Sequence, residues 1–179
     1  MGRDGAAKLR SSRRRSGPRD RLKEAGAQVT IASPDGKDIT GWEKKDWGRP
    51  ASVDIAIMDA KESDFTALVI PGGVMNPDKL RMDEDAMALV HAFLDSGKVV
   101  AAVCHGPWLL VEADALDGRK ATSWPSLRTD MENAGADWVD QEVVVDDGII
   151  TSRKPDDLSA FVDKIIEEIE EGKHYQRAA

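Results

Sequence analysis

The stretch Val99-Val100-Ala101-Ala102-Val103-Cys104-His105-Gly106-Pro107 decides the fold of this 179-residue chain. An apolar run ends at the chain's only cysteine, Gly and Pro follow, and an apolar segment of helical spacing begins at Trp108. A small residue, a nucleophile and a glycine at this spacing are typical of a nucleophile elbow, a strained turn between a strand and a helix. We expect this position to favour a thiolate at Cys104, because a helix N-terminus stabilises negative charge.

Predicted strands and helices alternate on both sides of this stretch. The strands cover residues 28–32, 53–57, 67–70, 99–103 and 120–123, and residues 143–145 and 149–152 form a hairpin around Asp146-Asp147-Gly148. The helices cover residues 19–25, 83–96, 108–113, 127–134 and 158–170, whereas residues 36–50 form a loop or a surface hairpin. This alternation predicts an α/β fold, with a mostly parallel sheet and helices on both faces.

Two of the predicted strands end in turns of unusual composition, Pro71-Gly72-Gly73 and Cys104-His105-Gly106. In open parallel sheets, ligands bind at the C-terminal ends of the strands. If these two strands are neighbours, both turns open onto one crevice, and the sequence predicts a functional site there.

The residues of these two turns suggest a nucleophilic site, although each has a simpler interpretation. Cys104 is a nucleophile or a small buried apolar side chain, and His105 is its general base or a residue that caps the following helix. Gly72 and Gly73 direct backbone N–H groups into the crevice as an oxyanion hole, or they form an ordinary tight turn.

Other candidates lie further along the chain. Asp78 orients His105 as the third member of a triad, or it is simply an acidic residue at a helix N-terminus. Trp108 and Trp124 line the pocket or pack in the core. His91 and His174 are surface residues by their positions, and three scattered histidines with one cysteine do not predict a metal site.

Composition and charge limit the classes of protein to which the chain can belong. Hydrophobic content of 41% and charged content of 32% indicate one globular domain. Residues 1–25 carry nine Lys or Arg and three Asp or Glu, a net charge of +6. The whole chain has a net charge of −8, so the remaining residues carry −14 and are strongly acidic. The basic segment is a poorly ordered tail or a nucleic-acid arm, but the acidic body argues against a general nucleic-acid binder. A single cysteine allows no internal disulfide and favours a cytoplasmic setting, and no apolar run reaches bilayer length.

Taken together, the motifs Pro71-Gly72-Gly73, residues 77–81 and residues 102–107 resemble those of the PfpI-type branch of the DJ-1/PfpI family, which is related to class I glutamine amidotransferases. Further matching motifs occur in order at Gly118-Arg119-Lys120, Thr122-Ser123-Trp124, residues 133–140 and residues 151–158. The resemblance extends from about Gly17 to Glu171.

The resemblance implies a flavodoxin-like three-layer sandwich that assembles as a homodimer or homohexamer and needs no cofactor. Its activities would be those of an intracellular peptidase, a glyoxalase or a deglycase, often in stress proteins. By motif, Cys104 is the nucleophile, His105 its partner and Asp78 the acidic residue, which in hexamers comes from a neighbouring subunit. The glycines and indoles at the remaining positions would form the oxyanion and substrate-binding site: Gly72, Gly73, Gly106, Trp108 and Trp124.

The N-terminal segment departs from the family pattern. The family opens with an apolar strand and a turn whose Glu hydrogen-bonds the nucleophile, whereas here residues 8–15 are basic and lack both features. Residues 16–20 match the family again. The resemblance therefore implies a missing or replaced first strand, with residues 1–16 as a disordered segment and residues 17–179 as the domain. The abrupt change is typical of a shifted reading frame or a wrong start site.

Three functional hypotheses follow. The first is a stress protein that uses Cys104 on small carbonyl compounds, their protein adducts or peptides. The second is a non-catalytic redox sensor or chaperone, since an accessible thiolate is readily oxidised. The third is an impaired member of the family with a shifted N-terminal reading frame, because loss of the family's central first strand would expose the edges of its two neighbouring strands and uncover core.

Overall fold

The computed structural model describes residues 18–43 and 46–172. In chain order the helices are α1 (Pro18–Glu24), α2 (Met75–Leu80), α3 (Glu84–Asp95), α4 (Trp108–Glu112), α5 (Arg128–Asn133) and α6 (Leu158–Glu171). The strands are β1 (Ala32–Ser33), β2 (Ile39–Glu43), β3 (Asp46–Ala51), β4 (Ile55–Ala56), β5 (Ala67–Ile70), β6 (Val99–Val103), β7 (Lys120–Ala121), β8 (Asp137–Trp138), β9 (Val143–Asp146) and β10 (Ile149–Ser152).

The main sheet has the strand order β5-β6-β10-β9 within the described ranges. Strand β6 pairs in parallel with β5, where Ile70 faces Ala102, and with β10, where Ser152 faces Val103. Strand β9 is antiparallel to β10. Because β5 and β6 are parallel neighbours, the turns that follow them lie side by side, as the sequence predicts.

Helices cover both faces of the main sheet. Along β6, Val100 and Ala102 join the core that contains residues of α3, α4 and α5, whereas Val99, Ala101 and Val103 join the core that contains residues of α1 and α6. All five residues are buried, which explains why this strand is continuously apolar rather than alternating. The layered α/β architecture is confirmed.

The hairpin between β9 and β10 also forms as predicted. Asp147 and Gly148 connect the strands with φ values of 46° and 74°. Two consecutive positive φ values define a type I′ turn, whose twist matches that of the flanking strands. In the region predicted as a loop or a surface hairpin, residues 36–50, strands β2 and β3 pair antiparallel, with Trp42 opposite Trp47.

The predicted strands at residues 28–32 and 53–57 are much shorter in the structure. Only β1 and β4 remain, and they pair with each other in parallel as a separate two-stranded sheet. Before β1, the carbonyl of Ile31 accepts from the N–H groups of Asp54 and Ile55, and its N–H donates to the Asp54 carboxylate. These bonds do not continue the regular ladder of a parallel strand pair. Ile57 begins a 3₁₀ turn, which ends the extended backbone after β4.

Sequence patterns also overlooked two elements, α2 and β8, which are only six and two residues long. The predictions for residues 1–16 and for His174 lie outside the described residues. Within the described part of the chain, every helix is too short or too polar to cross a bilayer.

Candidate active site

Cys104 lies immediately after β6, and its backbone adopts a left-handed conformation with φ of 64°. Such a conformation is strained for a residue with a side chain, so the surrounding structure must hold it in place. The N–H of Cys104 donates to the carbonyl of Ser152 at 2.9 Å, and its own carbonyl accepts from the N–H of Trp124 at 2.9 Å. Strand β10 and the loop after β7 thus fix the elbow from two sides.

Two glycines make room for this turn. A Cβ on Gly72 would lie 2.6 Å from the Cβ of Cys104, and a Cβ on Gly106 would lie 2.8 Å from the carbonyl oxygen of Ile70. The N–H of Gly106 donates to Val103, within the turn itself. In the structure Gly106 permits this close approach, and its place in an oxyanion or substrate-binding set stays a prediction.

The thiol of Cys104 is half-buried and has three polar neighbours. Its Sγ lies 3.2 Å from Nδ1 of His105. The backbone N–H groups of Gly73 and His105 also hydrogen-bond the sulfur, which lowers the pKa of the thiol. Removal of the thiol from water has the larger effect, so the net pKa of Cys104 is raised above its usual value.

The expected thiolate is therefore not supported at neutral pH. Helix α4 begins only at Trp108 and is five residues long, so its N-terminus is separated from the sulfur by the turn at residues 104–107. The helix dipole acts within about one turn of the terminus, and its effect here is smaller than that of burial.

His105 is 8% exposed and lies between two indole rings. The ring of Trp108 meets it edge-on at 5.3 Å between centroids, and the ring of Trp124 stacks against it at 6.2 Å. This burial lowers the pKa of His105, so its neutral form is favoured. A neutral imidazole next to a protonated thiol can accept the thiol proton, as a general base must.

Trp108 is itself held in place on two sides. Its Nε1–H donates to Asp130 at 2.8 Å, and the guanidinium of Arg81 lies 5.2 Å from its ring centroid. Trp124 remains partly open to solvent at 39% exposure. Both predicted indoles therefore border the Cys–His pair.

The remaining candidates lie elsewhere. Asp78 is exposed on α2, and its carboxylate lies 3.8 Å from Arg81. Facing Nε2 of His105 is the hydroxyl of Ser126 at 3.5 Å. His91 is exposed on α3. One subunit thus does not assemble the Cys104–His105–Asp78 triad, and the role predicted for Asp78 across subunits stays a prediction.

Sequence reasoning missed Ser126, Asp130 and Arg81. The first two follow the β7 strand in a segment whose contact with the elbow depends on the fold. One sequence signal could have found them. The predicted strand at residues 120–123 ends in the polar pair Thr122-Ser123, and the Trp-Pro pair that follows predicts a turn there, which is typical of a third loop at the site.

Comparisons with known proteins identify relatives of the chain. A model described as the DJ-1/PfpI family matches residues 15–168. The chain belongs to the DJ-1/PfpI family. It is 50% identical over 146 residues to general stress protein 18 of Bacillus subtilis, covering 80% of this chain and 83% of that protein. It is 42% identical over 149 residues to the deglycase PfpI of Pyrococcus furiosus, covering 83% of this chain and 87% of that one.

A solved structure supports the fold. The chain superposes with a TM-score of 0.76 and 39% identity on a two-domain protein from Anabaena variabilis that contains DJ-1/ThiJ/PfpI-like and ferritin-like domains. The match covers 86% of this chain and 43% of that protein. The flavodoxin-like fold of the DJ-1/PfpI family is therefore confirmed, and the family includes proteins named as enzymes.

Proposed function

We propose that this DJ-1/PfpI family member is a stress protein that uses Cys104 to attack small carbonyl compounds or their adducts on amino groups. The observation that carries the proposal is the 3.2 Å approach of Cys104 Sγ to His105 Nδ1 on a strained elbow. The relative named as a deglycase supports this class of reaction, and the relative named as a general stress protein supports a role in stress.

The arrangement suits addition of the thiol to an aldehyde. The thiol proton passes from Sγ to Nδ1 of His105, and the sulfur electron pair forms a C–S bond to the carbonyl carbon. The C=O π pair moves to oxygen, where the N–H of Gly73 is the proposed donor, and Nδ1 returns its proton to that oxygen. With methylglyoxal, the hydrogen on the attacked carbon then moves to the neighbouring carbonyl carbon, while the proton of the new hydroxyl moves to the oxygen of that carbonyl, which gives a thioester of lactate. Water hydrolyses this thioester to lactate and returns a proton to Sγ. This series of steps needs no external oxidant and no cofactor.

The same site discriminates between the hypotheses. A raised thiol pKa reduces the thiolate available to peroxide and to a carbonyl alike. The imidazole at 3.2 Å favours the carbonyl reaction, because it can take the thiol proton during addition and return it to the carbonyl oxygen. The base next to the nucleophile packs against two large rings, which suits a small carbonyl group better than a polypeptide backbone. Peptide hydrolysis is the competing reaction that an assay must include.

The proposal is tested by following loss of methylglyoxal, formation of lactate and release of glyoxal adducts from a model amine. The variants are Cys104→Ser and His105→Gln, with His91→Gln on the exposed face of α3 as the matched control. We expect both site variants to lose at least about 100-fold in kcat/KM, the usual contribution of a general base or nucleophile, while His91→Gln retains activity. Equal rates for wild type and Cys104→Ser, or activity on a peptide alone, would overturn it.

The assembly of subunits is part of the proposal. Asp78 is exposed on α2, near the exposed apolar side chains of Val74, Met75 and Met82. A homodimer or homohexamer that covers this surface would bring Asp78 of one copy to the site of another. Light scattering of wild type and Met82→Lys checks the assembly, and a monomeric wild type with full activity would remove this part of the proposal.

A cytoplasmic location is also part of the proposal. The chain has one cysteine and therefore cannot form an internal disulfide, which is typical of proteins in a reducing compartment.

The separation of β1 and β4 from the main sheet favours a second hypothesis, that the chain is a family member with impaired folding. Within the described residues, the pair β1–β4 is not joined by hydrogen bonds to the main sheet. A fold with such a break would unfold in a broad transition of low cooperativity. Calorimetry separates the two candidates, because an active stress protein should give one sharp transition.

A further inference from the structure

We propose that Ser126 is a positioning residue of this site, whose hydroxyl accepts a hydrogen bond from Nε2 of His105 and thereby directs Nδ1 toward Cys104. The hydroxyl oxygen lies 3.5 Å from Nε2, on the opposite side of the ring from the sulfur, which lies 3.2 Å from Nδ1. The inference deepens the proposed function, since it concerns the activation of the same nucleophile.

The direction of each hydrogen bond follows from the chemistry of imidazole. A neutral imidazole carries one N–H, and its other nitrogen is an acceptor. Burial favours the protonated thiol and the neutral ring, and in the proposed arrangement Nδ1 of that neutral ring accepts from the S–H of Cys104, whose sulfur is 3.2 Å away. The ring proton must then reside on Nε2, where the lone pairs of the Ser126 hydroxyl can accept it.

The same contact persists when the thiol reacts. As the proton moves from Sγ to Nδ1, the ring becomes an imidazolium with a proton on each nitrogen, and Nε2–H still donates to Ser126. The hydrogen bond then involves a charged donor, which makes it stronger than the neutral one. Ser126 therefore stabilises the imidazolium more than the neutral imidazole and raises the basicity of His105 against the effect of burial.

The local fold holds the hydroxyl in this place. Ser126 is the central residue of the 3₁₀ turn Pro125–Leu127. On one side of it, the N–H of Trp124 donates to the carbonyl of Cys104 at 2.9 Å, and on the other, Leu127 is fully buried in the core. The turn is thus attached to the elbow at one end and to the core at the other.

The charged groups around the ring are separated from it by other side chains. On α2, Arg81 lies over Trp108 and pairs with Asp78. On α5, Asp130 binds the indole N–H of Trp108, and Arg128 pairs with Glu132 at 2.8 Å. Apart from the Cys104 thiol, Ser126 is the polar side chain that the described part of the chain places against His105.

Alkylation of Cys104 by iodoacetamide tests this role without any assumption about the substrate. Cys104 is the only cysteine, so the modified protein reports on this thiol alone. Ser126→Thr keeps the hydroxyl, and Ser126→Val introduces a side chain of nearly the same shape as threonine but without the hydroxyl. As a control, Thr129→Ala removes an exposed hydroxyl from α5. The second-order rate constant is measured against pH for each, and the titration of His105 is followed by NMR.

We expect Ser126→Val to lower the rate constant at neutral pH about three- to tenfold, the effect of one hydrogen bond, and to shift the His105 titration to lower pH. Ser126→Thr and Thr129→Ala should match wild type. Identical profiles for Ser126→Val and Ser126→Thr would overturn the proposal. A shift in Asp78→Asn but not in Ser126→Val would also overturn it, by assigning the acceptor to a carboxylate from another copy.

The two proposals fail separately. If wild type consumes no methylglyoxal and removes no adduct, yet Ser126→Val changes alkylation and the His105 titration, the proposed function fails and the positioning role stands. If the activity is present and Ser126→Val leaves both readouts unchanged, only the positioning role fails. Circular dichroism of each variant confirms that the comparison is between folded proteins.

Discussion

Gly72 and Cys104 approach so closely that a Cβ on the glycine would lie 2.6 Å from the Cβ of the cysteine and 3.4 Å from its sulfur. The turn after β5 and the elbow after β6 are therefore in direct contact. This contact explains why two predicted turns form one site. It also means that the position of the nucleophile depends on the absence of a side chain at residue 72.

The first prediction concerns that contact. Gly72→Ala should lower the free energy of unfolding by about 1–3 kcal/mol, since overpacking forces a shift of the backbone or of Cys104. The displaced thiol should also react more slowly with iodoacetamide. Chemical denaturation and the alkylation rate together measure the two effects.

Gly118→Ala is the matched control for this variant, because Gly118 lies outside the site. A Cβ on Gly118 would meet no atom within 4 Å, but φ is +68°, so the substitution introduces backbone strain without a clash. Its cost should be about 1–2 kcal/mol. If Gly72→Ala were no more harmful to thiol reactivity than Gly118→Ala, the steric explanation of the site would be wrong.

Local sequence patterns were sufficient for the elements that carry the site. The apolar run before Cys104 predicts a strand buried on both faces, and Asp147-Gly148 predicts the turn whose two positive φ values the structure shows. Both depend on short-range chemistry, namely burial and the tolerance of Asp and Gly for left-handed backbone. The pairing of β5 with β6 is consistent with these patterns, because both strands are apolar and belong to the same parallel sheet.

Features that depend on long-range contacts could not be predicted in this way. Ser126 reaches His105 from 21 positions away, through a loop whose path is set by the whole sheet. The pKa of Cys104 was expected to fall because of a helix N-terminus, but burial, which no local pattern reports, raises it. The short β1 and β4 strands likewise depend on neighbours in space rather than on their own apolar residues.

The second prediction is the pH dependence of thiol reactivity. Because burial raises the pKa of Cys104, the thiolate fraction near neutral pH is smaller than that of an unhindered cysteine. The rate of alkylation should therefore rise with pH and reach half its maximum at a higher pH in the folded protein than in the chain unfolded by guanidinium. A half-maximum at lower pH in the folded protein would show that the N–H groups and His105 outweigh burial.

The third prediction links His105 to stability in acid. Burial lowers the pKa of this residue in the folded state, so between the folded and unfolded pKa values the unfolded chain binds the additional proton. The contribution is present above the unfolded pKa and is lost as the pH falls through that window. His105→Gln should flatten the dependence of the unfolding free energy on mildly acidic pH, whereas His91→Gln should retain the wild-type slope.

The fourth prediction concerns Lys98, which lies directly before β6 and binds the segment that precedes β5. Its ammonium is nearly buried, donates to the carbonyls of Glu62 and Phe65 at 2.8 and 2.7 Å, and pairs with the Glu62 carboxylate. Lys98→Met should lower the free energy of unfolding by about 2–3 kcal/mol, because these bonds have a charged donor. Since the site lies at the opposite ends of the strands, the reactivity of Cys104 should be unchanged.

Lys61→Met provides the comparison, because Lys61 is exposed directly before the 3₁₀ turn Glu62–Asp64, whose first residue accepts from Lys98. Surface substitutions of this kind change stability by no more than about 0.5 kcal/mol. Equal losses in the two variants would mean that hydrophobic contact, and not the buried ammonium, stabilises the loop before β5.

The fifth prediction concerns the junction between β10 and α6. Arg153 donates from Nε to Asp157 at 2.9 Å and from Nη1 to Asp140 at 2.7 Å, and these hydrogen bonds raise the pKa of the guanidinium. Asp157 is 6% exposed, so removal of its partner leaves a buried carboxylate. Arg153→Ala should therefore cost about 3–5 kcal/mol of unfolding free energy.

A double-mutant cycle with Asp157→Asn isolates the pair. If Arg153 acts mainly by neutralising the buried carboxylate, Arg153→Ala should cost much less in the Asp157→Asn background than in wild type. The exposed pair Lys164–Glu167, at 2.7 Å on α6, is the control, and its coupling should be at most about 1 kcal/mol. Similar coupling energies for the two pairs would mean that burial of Asp157 does not strengthen its contact with Arg153, and that the junction is held by the apolar core beneath it.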